Sequence, residues 1–143
     1  MFKRALLLLF PTLFTGHAMA NTVEFCPDPK EIKVIAGFVL RADTQSGNGE
    51  WIKVLQRDRG VSVIGFERGV FRPSKDDAKV GHLESCTFLT TGMEVADLAF
   101  RPEVNPKVSL AYPPAWKEKQ DAKGTYFECT SKDLQGCAFR EVK

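Results

Sequence analysis

Beyond residue 37 the chain is built of short runs in which apolar and polar residues alternate, separated by clusters of Gly, Asn, Asp, Ser and Pro. Phe38 to Asp43 and Glu50 to Gln56 read as two strands around Ser46-Gly47-Asn48-Gly49, where Asn-Gly tolerates positive φ and predicts a hairpin. Arg57-Asp58-Arg59-Gly60 predicts the next turn. Val61 to Phe71 then reads as a long strand, with Gly65 and Gly69 predicting bulges. Pro73-Ser74-Lys75-Asp76-Asp77 reads as an exposed loop, and His82 to Leu89 with Met93 to Arg101 as a second hairpin around Thr90-Thr91-Gly92. Residues 102–124 carry Pro102, Pro106, Pro113 and Pro114 and read as loop, with a short strand at Val108 to Tyr112. Thr125 to Cys129 and Cys137 to Val142 are the last two strands.

One stretch departs from this period. Asp28-Pro29-Lys30-Glu31 combines an acidic N-cap, Pro at the first helical position and Glu three residues after the cap. Ile32 and Ile35 then share one helical face and Gly37 can close the C-terminus, so a short N-terminal helix is expected. The fold expected is mainly β: an antiparallel sandwich or partly open barrel of about seven or eight short strands. Neither a repeat nor a linker divides residues 21–143, which read as a single β-rich domain.

The first twenty residues follow another pattern. Lys3 and Arg4 precede an apolar run from Ala5 to Phe14, and Ala18-Met19-Ala20 is a small-x-small cleavage site, so residues 1–20 read as a Sec-type signal peptide. A membrane span needs about twenty apolar residues, and this run is shorter. Of the 20 Lys and Arg two lie here, and of the 18 Asp and Glu none, so the mature chain has a formal charge of zero in place of +2. That withdraws a general electrostatic affinity for nucleic acid or an anionic membrane. It also places the mature protein, from about Asn21, in the periplasm with no stable membrane insertion.

All four cysteines, Cys26, Cys86, Cys129 and Cys137, lie in the mature chain with no CxxC among them, and an even number behind a signal peptide reads as two structural disulfides. Three connectivities fit the count. Phe127-x-Cys129 and Cys137-x-Phe139, on two strands joined by the turn-forming stretch Ser131 to Gly136, favour Cys129–Cys137 and hence Cys26–Cys86. Loop entropy assigns the short bridge about 2.6 kcal/mol and the long one about 4.3 kcal/mol.

The residues offer little chemistry. His82 is the single histidine of the mature chain, and His82-x-Glu84-x-Cys86 on a regular strand would put three ligand-type side chains on one face. A bridged Cys has no thiolate to give, so the simpler reading is a rim His, a solvated Glu and a core Cys. Nucleophile-elbow, P-loop, zinc-protease and EF-hand motifs are all missing, so neither a catalytic residue, a metal nor a cofactor is expected. Lys117, Lys119 and Lys123 beside Trp116 form the candidate partner contact, with Glu118 and Asp121 interrupting the charge. Trp51, Phe66, Phe71, Phe88, Phe100, Trp116, Phe127 and Phe139 are the expected aromatic core, and aromatic surface left over would serve a partner or a homodimer.

Cys26-Pro27, Ile32, Trp51, the strand from Gly60-Val61 to Phe66 with Phe71, Gly81-x-Leu83-x-x-Cys86-x-Phe88, Trp116, Tyr126-x-x-Cys129 and Cys137-x-Phe139 together make a spaced pattern. It resembles a family of small secreted proteobacterial proteins known as a domain of unknown function, with a branch associated with the Dot/Icm type IVB secretion system. The resemblance implies a non-enzymatic periplasmic protein that supports secretion and replication inside host cells through contacts with envelope or secretion-system proteins. Its motif consists of scaffold residues, so it transfers no active-site residue. Two other readings stand beside it, a periplasmic inhibitor or binder, for instance of lysozyme, and an unrecognised hydrolase using His82. The Ser-Gly-x-x-Tyr motif of lysozyme inhibitors is unmatched, because Ser46-Gly47-Asn48-Gly49 lacks the Tyr.

Overall fold

The computed structural model describes residues 23–56, 60–92, 94–103 and 106–142. The expected signal peptide, most of the expected turn at 57–60 and Met93 lie outside them. Eleven strands follow one another: β1 (Val23–Glu24), β2 (Lys33–Ile35), β3 (Val39–Asp43), β4 (Gly49–Val54), β5 (Val63–Pro73), β6 (Gly81–Thr90), β7 (Val95–Pro102), β8 (Lys107–Leu110), β9 (Lys117–Asp121), β10 (Gly124–Cys129) and β11 (Phe139–Glu141). Every pairing is antiparallel. Eight of these strands have four residues or more, and together they curl into a half-barrel.

The trunk is the β5–β6 hairpin. One edge of β6 pairs with β5 along its whole length, while its other edge is shared, Cys86 to Leu89 pairing with β7 and Gly81 with His82 pairing with β8. From β7 one arm runs through β4 and β3 to β2. From β8 a second arm runs through β11 to β1, and β10 with β9 adds to the free side of β5. Three extra residues bend the trunk: Ile64 and Glu67 on β5, and Glu84 on β6, each standing opposite no single partner. The bulge next to Gly65 was expected. Gly69 instead pairs in register with Cys86, and its missing side chain makes room for Trp116, whose Cη2 would lie 3.1 Å from a Cβ there.

The expected N-terminal helix does not form. Asp28 caps as predicted, accepting the Lys30 N–H at 2.9 Å, but the helix ends after one 3₁₀ turn, Pro29–Glu31. The β-branched residues Ile32, Val34 and Ile35 that follow favour extended backbone. Ile32 is buried while Ile35 is 45% exposed, so the two do not share a core face. Gly37 closes a β2–β3 turn rather than a helix, with Ala36 and Gly37 both at positive φ and Phe38 N–H donating to Ile35 C=O at 3.2 Å. The predicted hairpin at Ser46–Gly49 is present, although its positive φ falls at Gly47 and Gly49 begins β4. The proline-rich stretch read as loop also contains a hairpin, β9–β10. All five β9 residues are polar and exposed, so no alternation marks it.

All eight expected aromatics belong to the core cluster, with Trp51, Phe71, Phe88, Trp116 and Phe139 buried and Phe66, Phe100 and Phe127 packed against them. Trp51, Phe100 and Phe139 stack as a trio with centroids 5.0 to 6.1 Å apart. Both disulfides are formed, Cys26–Cys86 and Cys129–Cys137. The expected pairing is present, but for a different geometric reason. Cys137 ends a 3₁₀ turn, Leu134–Cys137, and β10 and β11 are not neighbours: β5, β6 and β8 lie between them in the sheet. The short bridge is therefore a strap across the trough of the half-barrel. Glu24, fully buried, performs a similar role at the first strand by accepting the N–H groups of Gln45 and Ser46 at 2.9 Å each.

Three results check this account. Replacing Cys26 and Cys86 together by Ala should cost more unfolding free energy in urea than replacing Cys129 and Cys137, about 4 against about 3 kcal/mol on loop entropy. Gly69→Val should cost about 1–3 kcal/mol by pushing on Trp116. Glu24→Ala, which removes the acceptor of two part-buried N–H groups, should cost about 1–3 kcal/mol in the same assay.

Candidate functional site

The His82, Glu84, Cys86 constellation is not assembled. Because Glu84 is the extra residue of a bulge, the alternation of β6 flips there: His82 and Glu84 face outward while Leu83 and Cys86 are both buried. Cys86 is spent in the disulfide. Among the described residues no group of three or more His, Cys, Asp and Glu is placed to hold a metal ion. Trp116 is 5% exposed against Gly69, so its ring is not offered for stacking with a partner. Lys117 and Lys119 are exposed on β9, and Lys119 Nζ lies 3.1 Å from Glu128.

Sequence reading missed a charge ladder on the outer face of β9, β10, β5 and β6. Arg72, on β5, has a side chain only 13% exposed and lies over the Tyr126 ring at 5.3 Å. Its Nε donates to Glu84 at 2.7 Å, and its two Nη groups donate to the carboxylate of Asp121 at 3.1 and 2.8 Å. Glu128 meets Lys119 and, at 3.7 Å, Arg68, while Lys123 approaches Glu84 at 3.9 Å. The guanidinium hydrogen-bonded to it holds the Asp121 carboxyl below its ordinary range, opposed by desolvation and aided by the Lys123 N–H. The hydrogen bonds it donates to Asp121 and then to Glu84 raise Arg72 above its already high value. The sequence did not join these residues: Arg72 followed the strand read at Val61 to Phe71, Glu84 fell in the next predicted hairpin, and Asp121 sat in the stretch read as loop. The ladder pairs nearly all its charges internally, which suits holding four strands together better than catalysis.

The free edges of the sheet differ in character. β9 presents Lys117, Glu118, Lys119, Gln120 and Asp121, a charged edge that discourages another strand. β2, the free edge of the other arm, carries Val34 at 39% and Ile35 at 45% exposure, and Phe38 at 39% and Val54 at 57% stand beside them. Register aligns Ile35 with Val39 and Val39 with Val54, so these form one apolar row across three strands. β2 also carries exposed Lys33, but its edge is continuous with exposed apolar side chains, and this is the surface among the described residues best suited to bind protein. Strand signals placed Phe38 and Val54 on strands but left Ile35 on the expected helix, and which strand lies at an edge is a property of the topology.

A family model described as a protein of unknown function (DUF3757) matches residues 21–140. Neither a curated protein nor a solved structure matches the chain.

The Arg72–Asp121 pair sets a pH dependence. A carboxyl whose folded-state pKa is lowered stabilises the fold above its unfolded value, about 3.9, and that contribution disappears as pH falls through the folded value. The thermal midpoint should therefore fall on acidification below about pH 4. Asp121→Asn should have a lower midpoint than the parent chain at pH 6 and lose less on acidification; parallel curves for the two proteins would contradict this.

Proposed function

The chain belongs to the DUF3757 family of proteins of unknown function, and from that premise we propose that it is a non-enzymatic periplasmic protein that supports a type IVB secretion machine, and replication inside host cells, by protein–protein contact. The observation that carries the contact reading is the β2 edge, where exposed Ile35 lies in register with Val39 and exposed Val54, while every residue of the β9 edge is polar. Two disulfides suit an oxidising environment, extracellular or periplasmic. No helix among the described residues is long and apolar enough to cross a membrane. The family match begins at residue 21, next to the expected cleavage point after Ala20, which supports export of the matched domain.

In this reading the protein is a scaffold part. Its β2 edge adds a strand to a partner sheet, either an envelope protein of the machine or a second copy of this chain, and the apolar row covers the joint. The secretion assignment rests on the family resemblance, and the contact assignment on the edge, so they are tested separately. Deleting the gene should lower effector translocation while growth in broth continues; unchanged translocation would remove the secretion role. A photo-crosslinking residue at position 35 should capture a protein in the envelope of living cells, while one at position 117 should not. Capture at 117 and none at 35 would move the contact back to the β9 lysines.

A further inference from the structure

The curl of the half-barrel brings β8 to face β10 across the trough, although the two strands do not pair. Between them lies a cavity of about 410 Å³, lined by Phe71, Phe127, Leu110 and Pro113 with Ser109 and Lys79 as its polar members. That volume lies in the range of small-molecule sites, and such sites combine apolar walls with a few polar groups that fix orientation. The walls are held by the core: Phe71 is 1% exposed and stacks on Phe127 at 6.2 Å, and Leu110 pairs with buried Phe139. The apolar surface is thus preformed rather than collapsed.

The polar members select the ligand. None of the lining residues is acidic, while Lys79 supplies an ammonium and Ser109 a hydroxyl. Lys79 is exposed, in the loop between β5 and β6, and its backbone N–H is fixed by Asp77 at 2.9 Å, which holds that loop at the mouth. A sugar or a peptide backbone would leave its polar groups unpaired against Phe71, Phe127 and Leu110, and an amine would meet a like charge. We propose that this trough binds the hydrocarbon chain of a medium-length, single-chain anionic amphiphile, with its headgroup held at Lys79 and Ser109. A free fatty acid and the acyl chain of an anionic lipid share that chemistry.

Decanoate, kept below its critical micelle concentration, is the probe for the first source, and a lysophosphatidylglycerol of the same chain length for the second, each titrated into the intact mature protein and read by ¹H–¹⁵N chemical shifts. Decanoate should shift the amides of Leu110, Phe127 and Ala78, and decylamine should not. Lys79→Gln should weaken decanoate binding about two- to fivefold, the size expected of an exposed charge contact. Ala78→Trp, a change at an exposed loop position of the lining, should abolish binding while leaving the dispersion of the spectrum intact. Tighter binding of the lysolipid than of decanoate would assign the site to lipid, and the reverse to free acid. No shift at these amides with either probe, or equal binding of decylamine, would overturn the proposal.

Discussion

The structure depends on a row of three residues across the middle of the trunk. Cys129 on β10 pairs with Gly69 on β5, and Gly69 pairs with Cys86 on β6. All three face the trough, and each cysteine carries a bridge to the opposite arm, Cys129 to Cys137 and Cys86 to Cys26. Gly69 between them leaves the space into which Trp116 and the Cys26 sulfur pack, 3.1 and 3.5 Å from where a Cβ would stand. A sheet of this length has no closing strand pair between β1 and β9, so its curl rests on the bulges that bend the trunk and on ties across the trough. The two straps and the buried indole are those ties. The trough, the cavity between β8 and β10 and the separation of the free edges all follow from that geometry.

Outward from the row, the polar side of the sheet is fastened differently. Arg72 ties β5 to β6 and β9 through Glu84 and Asp121, so the outer face carries its charges in pairs and the inner face carries the aromatics. Single exposed pairs contribute little, but Arg72 is mostly buried and bidentate, which gives the ladder geometric weight. Its task is to hold the β9–β10 hairpin, whose own burial is slight, against the trunk.

Much of this was legible in the residues, for identifiable reasons. The β3–β4 and β6–β7 hairpins carried both alternation and turn chemistry, and the eight aromatics were placed in the core by hydrophobicity alone. The disulfide pairing was anticipated from Phe127 and Phe139 flanking Cys129 and Cys137, but those residues meet across the trough and not along a hairpin. What stayed hidden was set by long-range context. The helix signal at Asp28–Glu31 was genuine as a cap and was overridden by β-branched residues and by the pairing of Lys33–Ile35 with β3. β9 showed no period because an edge strand exposed along its length has no buried face. The bulge at Glu84 separated His82 from Cys86, and a one-residue insertion in a register leaves no mark in composition.

The functional reading turns on the contrast between two edges of one sheet. Charged side chains line β9, whereas β2 has one, Lys33, and presents exposed Val34 and Ile35 at a free edge near Phe38 and Val54. A protein that had to stay monomeric would gain from guarding both. The most direct measurement is complementation of a deletion strain with the variant Ile35→Lys, which puts a charge into the apolar row of Ile35, Val39 and Val54. Effector translocation should stay at the level of the deletion strain while the purified variant keeps the parent thermal midpoint. Full restoration of translocation by this variant would contradict the account.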